Sequence, residues 1–256
     1  MPPMVSILMP TLNEELLIER SISAILDQSF SDFELLVLDG GSTDNTLSYV
    51  KSLNDSRVQV YTNCGSIVDS LNRGIKESRG KYIARADADS IPDTNWLGTC
   101  IKFLSNNAEY AAVGTQAKRV YEDGTSHSTS KPVSDDEIRK TLVWSNPMIH
   151  PTIVIRKTAL KEVGGYRYRH WEDYDLVVRL SKENKLSNIP EVLVVDHVRE
   201  DGIVASTGEL KSTAANLYCA FLALAIIDYS YTKMAVLGVR RTVRAVSLFL
   251  YNTLVK

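Results

Sequence analysis

The sequence predicts an α/β protein built on a mostly parallel, doubly wound sheet, and three observations lead to this prediction. Short, largely apolar runs such as VSILM at residues 5–9 and FELLVL at residues 33–38 are typical of strands buried on both faces. Segments with helical spacing of apolar residues separate these runs. Polar or acidic residues follow the strand ends, at Thr11, Asp39 and Asp87. Because parallel strands end at a common edge, we expect these side chains to share one ligand crevice.

The first ninety residues alternate between strands and helices. Strands are predicted over residues 5–9, 33–38, 57–61 and 81–85, and helices over residues 15–28, 45–53 and 66–78. Gly40 and Gly41 permit a tight turn after the second strand, and Ser42 or Thr43 is expected to cap the helix at residues 45–53. This alternation indicates βαβ units and therefore a parallel sheet.

The segment KYIARADADS, residues 81–90, begins as a buried strand and ends in two carboxylates, Asp87 and Asp89. Strand periodicity would direct both side chains to the same side. Two such carboxylates repel each other unless a cation lies near them, and hard oxygen ligands suit Mg²⁺ or Mn²⁺. An acidic loop without a metal is the alternative, because two acids at this spacing carry little specificity alone.

The second half of the chain contains further strands and helices. Strands are predicted over residues 110–121, 153–156 and 192–195, helices over residues 96–104 and 135–142, and a hairpin-like tip over residues 122–130. Glu172 and Asp173 open another helix, where acids also complement the positive end of the helix dipole. His150 precedes Pro151 and is expected in an extended loop, where an ordinary packed histidine is the alternative.

Composition excludes some classes of function. The 256-residue chain is 44% hydrophobic and 23% charged, as expected of a folded soluble protein, and its net charge of −2 argues against a nucleic-acid partner. Its three cysteines are scattered, which predicts free thiols in a reducing, cytoplasmic compartment. The first apolar run stops at Pro10 and lacks a basic flank, so we interpret it as a strand rather than a secretory signal.

The segment 206–256 has a different character. Its apolar runs, at residues 217–227 and 243–254, fall short of the roughly 18 residues expected of a membrane span. From Lys211 onward the chain has six basic residues and one acid, Asp228. These features predict an amphipathic, basic helical tail that packs on the body, across a homodimer, or peripherally on the cytoplasmic face of a membrane. No linker is evident before it, so residues 1–205 are expected to form one domain.

Five segments in order carry a resemblance to a known family: SILMPTLNEE, LLVLDGGSTDNT, LNRGIKESRGKYIARADADS, NPMIHPTIVIRKTALKEVGGYR and WEDYDLVVRL. Together they resemble the family-2 glycosyltransferases of GT-A fold, especially bacterial enzymes of surface-polysaccharide assembly. The resemblance implies a Rossmann-like GT-A domain over residues 1–205, with a nucleotide-binding half at 1–90 and an acceptor half at 91–205. Residues 206–256 would form a C-terminal helical extension.

The resemblance implies a nucleotide pocket at the first strand ends. Asp39 would accept a hydrogen bond from the base imide, while Thr11 and Glu14 would lie near the ribose. Asn72 would line the same pocket. UDP is the default nucleotide because Asp39 suits a uracil imide, and dTDP stays open because thymine presents the same edge.

The resemblance further implies residues around the donor sugar and a Mn²⁺ or Mg²⁺ ion. Arg85 and Asp87 would face the nucleotide-sugar, and His150 would border the donor-sugar pocket. Asp89 would be the main protein ligand of the cation on the diphosphate.

Two departures from the family pattern bear on the cation. Ser90 stands where many relatives have another acid. Relatives also often have Arg-x-His after the last strand, whereas this chain has His197-Val198-Arg199. Either His197 approaches the metal, or Arg199 offsets diphosphate charge.

The activity implied is inverting glycosyl transfer. Asp173 would be the general base, with Glu172 orienting the base or the acceptor. The donor would be a UDP- or dTDP-sugar, and the acceptor a saccharide or a lipid-linked saccharide in cell-surface polysaccharide synthesis. The alternative is a catalytically inactive nucleotide-sugar-binding or scaffold subunit of a membrane glycan assembly. A sugar-1-phosphate nucleotidyltransferase is disfavoured, because PTLNEELLIER lacks the glycine-rich basic loop of those enzymes.

Overall fold

The first half of the chain alternates between strands and helices, as predicted. The computed structural model describes residues 1–168, 171–198 and 218–219. Its first elements are β1 (Val5–Thr11), α1 (Ile18–Leu26), β2 (Phe33–Asp39), α2 (Thr46–Ser52), β3 (Val58–Tyr61), α3 (Ile67–Glu77) and β4 (Tyr82–Arg85). The four predicted strands and three predicted helices of residues 1–90 are therefore all present.

The second half contributes shorter strands and two long ones. Its elements are β5 (Ser90–Pro92), α4 (Trp96–Asn106), β6 (Tyr110–Tyr121), β7 (Ser126–Ser128), α5 (Asp135–Leu142), a 3₁₀ helix (His150–Thr152), β8 (Val154–Arg156), α6 (Lys157–Glu162), α7 (Glu172–Leu180) and β9 (Lys185–Val198). The strand predicted at residues 192–195 is one end of the 14-residue β9. β5, β7 and α6 were not predicted, because each is too short to show a period.

One mixed sheet joins the strands in the order β3-β2-β1-β4-β8-β6-β9-β5, with β7 paired to β6. The β3-β2-β1-β4 portion is parallel, β8 runs antiparallel to both neighbours, and β9 runs parallel to β6. The chain moves outward from β1 through β2 to β3 and then returns to β1's other side at β4. This reversal opens a crevice at the carboxyl ends of β1 and β4, where ligands of such sheets bind.

Apolar side chains cover both faces of the sheet. Because strand side chains alternate, Ile7 and Met9 of β1 face α1 and α4 in one core cluster, whereas Leu8 faces α3 and α7 in the other. Trp96 of α4 is fully buried and donates its indole N–H to the carbonyl oxygen of Thr152 at 3.1 Å. The strands whose ends form the crevice are therefore packed on both faces.

The start of α1 differs from the prediction. The helix begins at Ile18 rather than at residue 15. The Glu14 amide donates to Thr46 Oγ1 at 2.8 Å and the Glu15 amide to Asp44 Oδ2 at 3.1 Å. These bonds tie residues 14 and 15 to the loop before α2, outside the helix.

The cap of α2 was also predicted wrongly. The N-cap residue is Asn45, and neither Ser42 nor Thr43 caps the helix. Ser42 Oγ instead accepts from the Asn13 amide at 2.9 Å, and the Thr43 amide donates to Asn13 Oδ1 at 2.9 Å. The loop after β2 is thus tied to the loop after β1.

The structure bears on the cysteines and on the apolar segments of the chain. Cys64, Cys100 and Cys219 are buried and form no disulfide, as predicted for thiols. In the described ranges, no helix has the length and apolarity needed to cross a membrane. The predicted tail at 206–256 lies outside the described residues, apart from Tyr218 and Cys219.

Candidate active site

Two of the residues predicted to hold a nucleotide lie at the ends of β1 and β2. Thr11 and Asp39 are cross-strand partners in the parallel register, so the structure brings these two predicted residues side by side. Both are buried. Asp39 Oδ2 accepts from the Gly41 amide at 3.0 Å, and Oδ1 accepts from the Ser42 amide at 3.1 Å. The carboxylate therefore closes the turn, and its remaining lone pairs keep the capacity to accept further hydrogen bonds.

Asp87 and Asp89 lie in a turn beyond β4, not in the strand. β4 ends at Arg85, so the strand alternation used to predict their common direction does not apply. The turn is closed by the Ser90 amide, which donates to the Asp87 carbonyl oxygen at 3.1 Å. The two carboxylates are nevertheless close enough that Asp87 raises the pKa of Asp89. The predicted proximity is present, and the turn is its cause.

Acidic groups converge on Asp89. Burial raises the pKa of Asp89 to about 7, and the charges of Asp87, Asp196 and Glu14 add to the shift. This oxygen-rich, mutually repelling set fits Mg²⁺ or Mn²⁺, which would relieve the repulsion. Asp196 was not among the predicted site residues, although its position at the end of a predicted strand was an available signal.

His197 also lies beside this group. Its amide donates to the Asp89 carbonyl oxygen at 3.3 Å, while its ring Nε2 is buried without a hydrogen-bond partner among the described residues. An orphaned imidazole nitrogen suits a metal or phosphate contact. Arg199, the other candidate, lies outside the described residues. The roles of Asp89 and His197 as ligands stay predictions.

The acids do not form a complete metal cage. Across residues 1–168, 171–198 and 218–219, no three His, Cys, Asp or Glu side chains are grouped to hold a metal ion by themselves. This arrangement is compatible with a cation that completes its shell with substrate phosphates and water, as Mg²⁺ commonly does.

Arg85 lies near two groups of acids, those in the turn after β4 and those at the start of α7. It is buried, 3% exposed, and forms an ion pair with Asp87. Its charge also opposes the rise in the pKa of Glu172 and lowers that of His150. Arg85 Nε is buried with no hydrogen-bond partner in the described part of the chain. Arg85 is therefore a fixed positive charge between the acids after β4 and those on α7.

Glu172 and Asp173 occupy the first turn of α7, as predicted. Burial raises the pKa of Glu172 to about 7, with the charge of Asp173 adding to it. Burial also raises the pKa of Asp173, which is opposed by hydrogen bonds from the Tyr174 amide at 2.7 Å and from Asn146 Nδ2 at 2.9 Å. Each Asp173 oxygen accepts one bond, and the remaining lone pairs can accept a proton from a substrate hydroxyl.

His150 is partly buried and does not lie in the predicted extended loop. It begins the 3₁₀ helix, which corrects the predicted extended conformation. Its Nε2 lies 3.0 Å from the hydroxyl oxygen of Tyr166, and burial lowers the pKa of the imidazole, with Arg85 adding to the effect. Burial and the nearby acids raise the pKa of Tyr166. Contact of His150 with a donor sugar stays a prediction.

Asn72 pairs with the main chain of Tyr166. Asn72 Nδ2 donates to the Tyr166 carbonyl oxygen at 2.9 Å, and the Tyr166 amide donates to Asn72 Oδ1 at 2.9 Å. The predicted role of Asn72 in lining the nucleotide pocket stays a prediction, and the structure adds a role in joining α3 to the loop before α7.

Comparisons with known proteins give the family and the fold of this chain. The sequence model described as "Glycosyl transferase family 2" matches residues 6–164. An uncharacterized glycosyltransferase of Haemophilus influenzae is 30% identical over 75% of this chain, which spans 64% of that relative's length. The Escherichia coli enzyme UDP-Glc:alpha-D-GlcNAc-diphosphoundecaprenol beta-1,3-glucosyltransferase WfgD is 32% identical over 73% of each chain.

A solved structure shares the fold. The crystal structure of S. aureus TarS 1–349 in complex with UDP-GlcNAc superposes with a TM-score of 0.76 at 20% identity, covering 100% of this chain and 76% of TarS 1–349. At this identity the likeness shows the fold alone, and that fold is the predicted one.

Proposed function

This chain belongs to glycosyl transferase family 2 and is a glycosyltransferase, and we propose that it is a metal-dependent, inverting one. The proposed donor is a UDP-sugar, with a dTDP-sugar as the alternative, and the acceptor a saccharide or lipid-linked saccharide in cell-surface polysaccharide synthesis. One observation carries the proposal: two partly buried acidic groups lie near the same cation, Arg85, which pairs with Asp87 in the turn of Asp89 and lowers the pKa of Glu172 on α7.

Asp173 is the proposed general base. It takes the proton from the acceptor hydroxyl as that oxygen attacks the anomeric carbon, and the bond to the nucleoside diphosphate breaks. Its hydrogen bonds to Tyr174 and Asn146 fix the carboxylate, so little reorganisation is needed at reaction. Burial, which raises its pKa, makes it a stronger base than an exposed aspartate.

Asp89 and His197 are proposed to hold the cation. When bound, a divalent cation would act as a Lewis acid that neutralises charge on the departing diphosphate. Asp87, which forms an ion pair with Arg85, is proposed to orient the donor sugar. The proposed reaction therefore uses carboxylates in two roles. Asp89 would hold the cation that binds the diphosphate, and Asp173 would accept the proton of the acceptor hydroxyl.

The donor and acceptor classes rest on the nucleotide end of the crevice and on relatives. The paired Thr11 and Asp39 support a nucleotide whose base presents an imide, which uracil and thymine share. WfgD is named for UDP-Glc and a diphosphoundecaprenol-linked acceptor, and TarS was solved with UDP-GlcNAc. These names support a UDP-sugar and a lipid-linked acceptor here.

The basic tail supports a place on the cytoplasmic face of a membrane. Six basic residues against one acid from Lys211 onward would favour an anionic leaflet. Sedimentation with vesicles containing phosphatidylglycerol, compared with neutral vesicles, tests this part of the proposal. Equal partitioning to both would favour the alternative, in which the tail packs on the body or across a homodimer.

Thermal-shift titration tests the nucleotide and the metal together. UDP, dTDP, GDP and CMP would each be added with Mn²⁺ or with a chelator. A ligand at a hundred times its Kd stabilises by about 2.7 kcal/mol, or roughly 5–10 °C for a domain of this size. We expect a shift with UDP or dTDP that requires the metal. No shift with any nucleotide, together with no sugar transfer, would favour the inactive scaffold.

Asp89→Ala sharpens the metal test. Its nucleotide affinity should fall in Mn²⁺ and change little in chelator, because only the metal-dependent part of binding passes through Asp89. Asp32→Ala is a matched control, since Asp32 is exposed at the opposite end of the sheet, just before β2. An equal loss in chelator would contradict the assignment of Asp89.

A further inference from the structure

A partly buried chain of hydrogen bonds leads to the proposed base from a part of the fold outside the predicted site. Lys131 Nζ donates to the carbonyl oxygen of Asn146 at 2.8 Å, and Asn146 Nδ2 donates to Asp173 Oδ2 at 2.9 Å. The side-chain oxygen of Asn146, Oδ1, accepts a hydrogen bond from the Met148 amide at 3.1 Å. The main-chain carbonyl, Nδ2 and Oδ1 of Asn146 therefore each have a hydrogen-bond partner.

Lys131 is itself anchored on the sheet. The buried side chain of Gln116, on β6, accepts from the Lys131 amide at 2.7 Å and donates to the Lys131 carbonyl oxygen at 3.0 Å. Thr129 Oγ1 donates to the same Gln116 oxygen at 3.0 Å. The lysine therefore reaches Asn146 from a main chain that is fixed to a central strand.

The ammonium group of Lys131 is partly removed from water, which disfavours its charged form. Burial and the nearby charge of Arg119 lower the pKa of Lys131, and the charge of Asp173 opposes that shift. An ammonium that is partly removed from water destabilises the fold unless its charge is compensated. Its bonded neighbour is a neutral carbonyl, so the compensating charge that the site offers is the Asp173 carboxylate.

We propose that Lys131 and Asn146 are positioning residues for the transfer reaction. Lys131 holds the main chain of Asn146 so that the amide donates to Oδ2 of Asp173, which orients the carboxylate toward the acceptor hydroxyl and keeps it ionised. The inference rests on the proposed function, in which Asp173 is the base. Neither residue is expected to contact the substrate.

The groups that face Asp173 determine the sign of the effect. Asp87 on the turn after β4 and Glu172 on the same helix are acids, which disfavour ionisation of Asp173. Asn146 and Lys131 oppose them by a hydrogen bond and by charge. Removal of either should therefore raise the pKa of Asp173, and the acid limb of the rate profile should move to higher pH.

The test measures Asp173 directly. The protein would carry ¹³C-carboxyl aspartate, and an Asp173→Asn variant would assign the signal in an NMR titration. We expect Asn146→Ala to raise the titration midpoint of the Asp173 carboxyl by about one pH unit, as for loss of a hydrogen bond to a charged group. Lys131→Met should raise it less, and Lys131→Arg, which keeps charge and donor, should restore it. Lys118→Met, an exposed lysine on β6, is the matched control.

The pH dependence of kcat is read in the same variants, with UDP-sugar as donor. A raised Asp173 midpoint with a parallel shift of the acid limb supports the proposal. An unchanged midpoint in both Asn146→Ala and Lys131→Met would overturn it. If the midpoint moves but the wild-type chain transfers sugar from no donor, the proposed function fails while the positioning geometry stands. Asn146→Ser replaces Asn146→Ala if the latter does not fold.

Discussion

Ser21 of α1 donates a 2.6 Å hydrogen bond from its hydroxyl to the carbonyl oxygen of Ala88, 67 residues later in the chain. Both residues are buried, and Ala88 stands between Asp87 and Asp89. Helix α1 therefore holds the acidic turn at its middle residue. Ser21 has no part in the family resemblance, and only the folded structure shows what it contacts.

Ser21→Ala should weaken the acidic turn. It leaves the buried Ala88 carbonyl oxygen without this partner, so the free energy of unfolding should fall by about 1–2 kcal/mol. UDP affinity in Mn²⁺ should fall severalfold, because the turn carries Asp89. Calorimetric titration with Mn²⁺ and with chelator measures the difference. Ser23→Ala, exposed on the same helix, is the control, and an equal affinity of both variants would argue against this role.

Asp173→Asn should remove catalysis and leave donor binding nearly intact. The change keeps the shape of the side chain but removes the proton acceptor, and general-base catalysis typically contributes 10²–10⁴-fold to rate. We expect a fall in kcat of about that size, with the Kd for UDP within about twofold of wild type. Steady-state kinetics and calorimetry measure the two quantities. A comparable loss of UDP affinity would mean that Asp173 serves the donor instead.

Glu172 should make the protein less stable as pH rises. Its pKa is about 7 in the fold and 4.5 as the ordinary value, so the folded state binds the extra proton between these pH values. Stability from this group is thus complete below pH 4.5 and is lost as pH rises through about 7. At about 1.4 kcal/mol for each pH unit between the two values, the loss should be at most about 3 kcal/mol, and Glu172→Gln should remove this pH dependence.

Urea unfolding between pH 4.5 and 8, in chelator, measures this pH dependence. Glu162→Gln, an exposed acid on α6, should keep the wild-type dependence. A Glu172→Gln profile that falls as steeply as wild type would show that Glu172 is already ionised at low pH.

Asn72→Ala should loosen the loop before α7. Two hydrogen bonds to the Tyr166 main chain are lost, so the free energy of unfolding should fall by about 2 kcal/mol. Gly165→Ala should act similarly: Gly165 has φ +69°, and a Cβ there would lie 2.5 Å from Asn72 Oδ1. Urea unfolding measures both, with exposed Asn106→Ala as control. A change below about 0.5 kcal/mol in both would show that the pairing is not needed.

Local pattern was enough to predict β1 to β4 and the sheet edge at which the candidate site lies. Buried strands carry apolar runs, and the acids or polar residues that follow them stand at the carboxyl edge whatever the rest of the fold does. This is why Thr11, Asp39, Asp87 and Asp89 could be singled out and why Thr11 and Asp39 prove to be neighbours. Glu172 and Asp173 were likewise recognisable, since a helix start is a local feature.

Contacts between distant segments were decided by tertiary structure alone. Asp196 joins the group around Asp89 because β5 and β9 pair antiparallel, with Ser90 opposite Asp196. Lys131 and Asn146 approach Asp173 through bonds spanning 15 and 27 residues, which no period in the sequence encodes. A strand pattern specifies which face is buried but not which strand lies beside it, so the partners of each charge, and hence its pKa, come only from the assembled sheet.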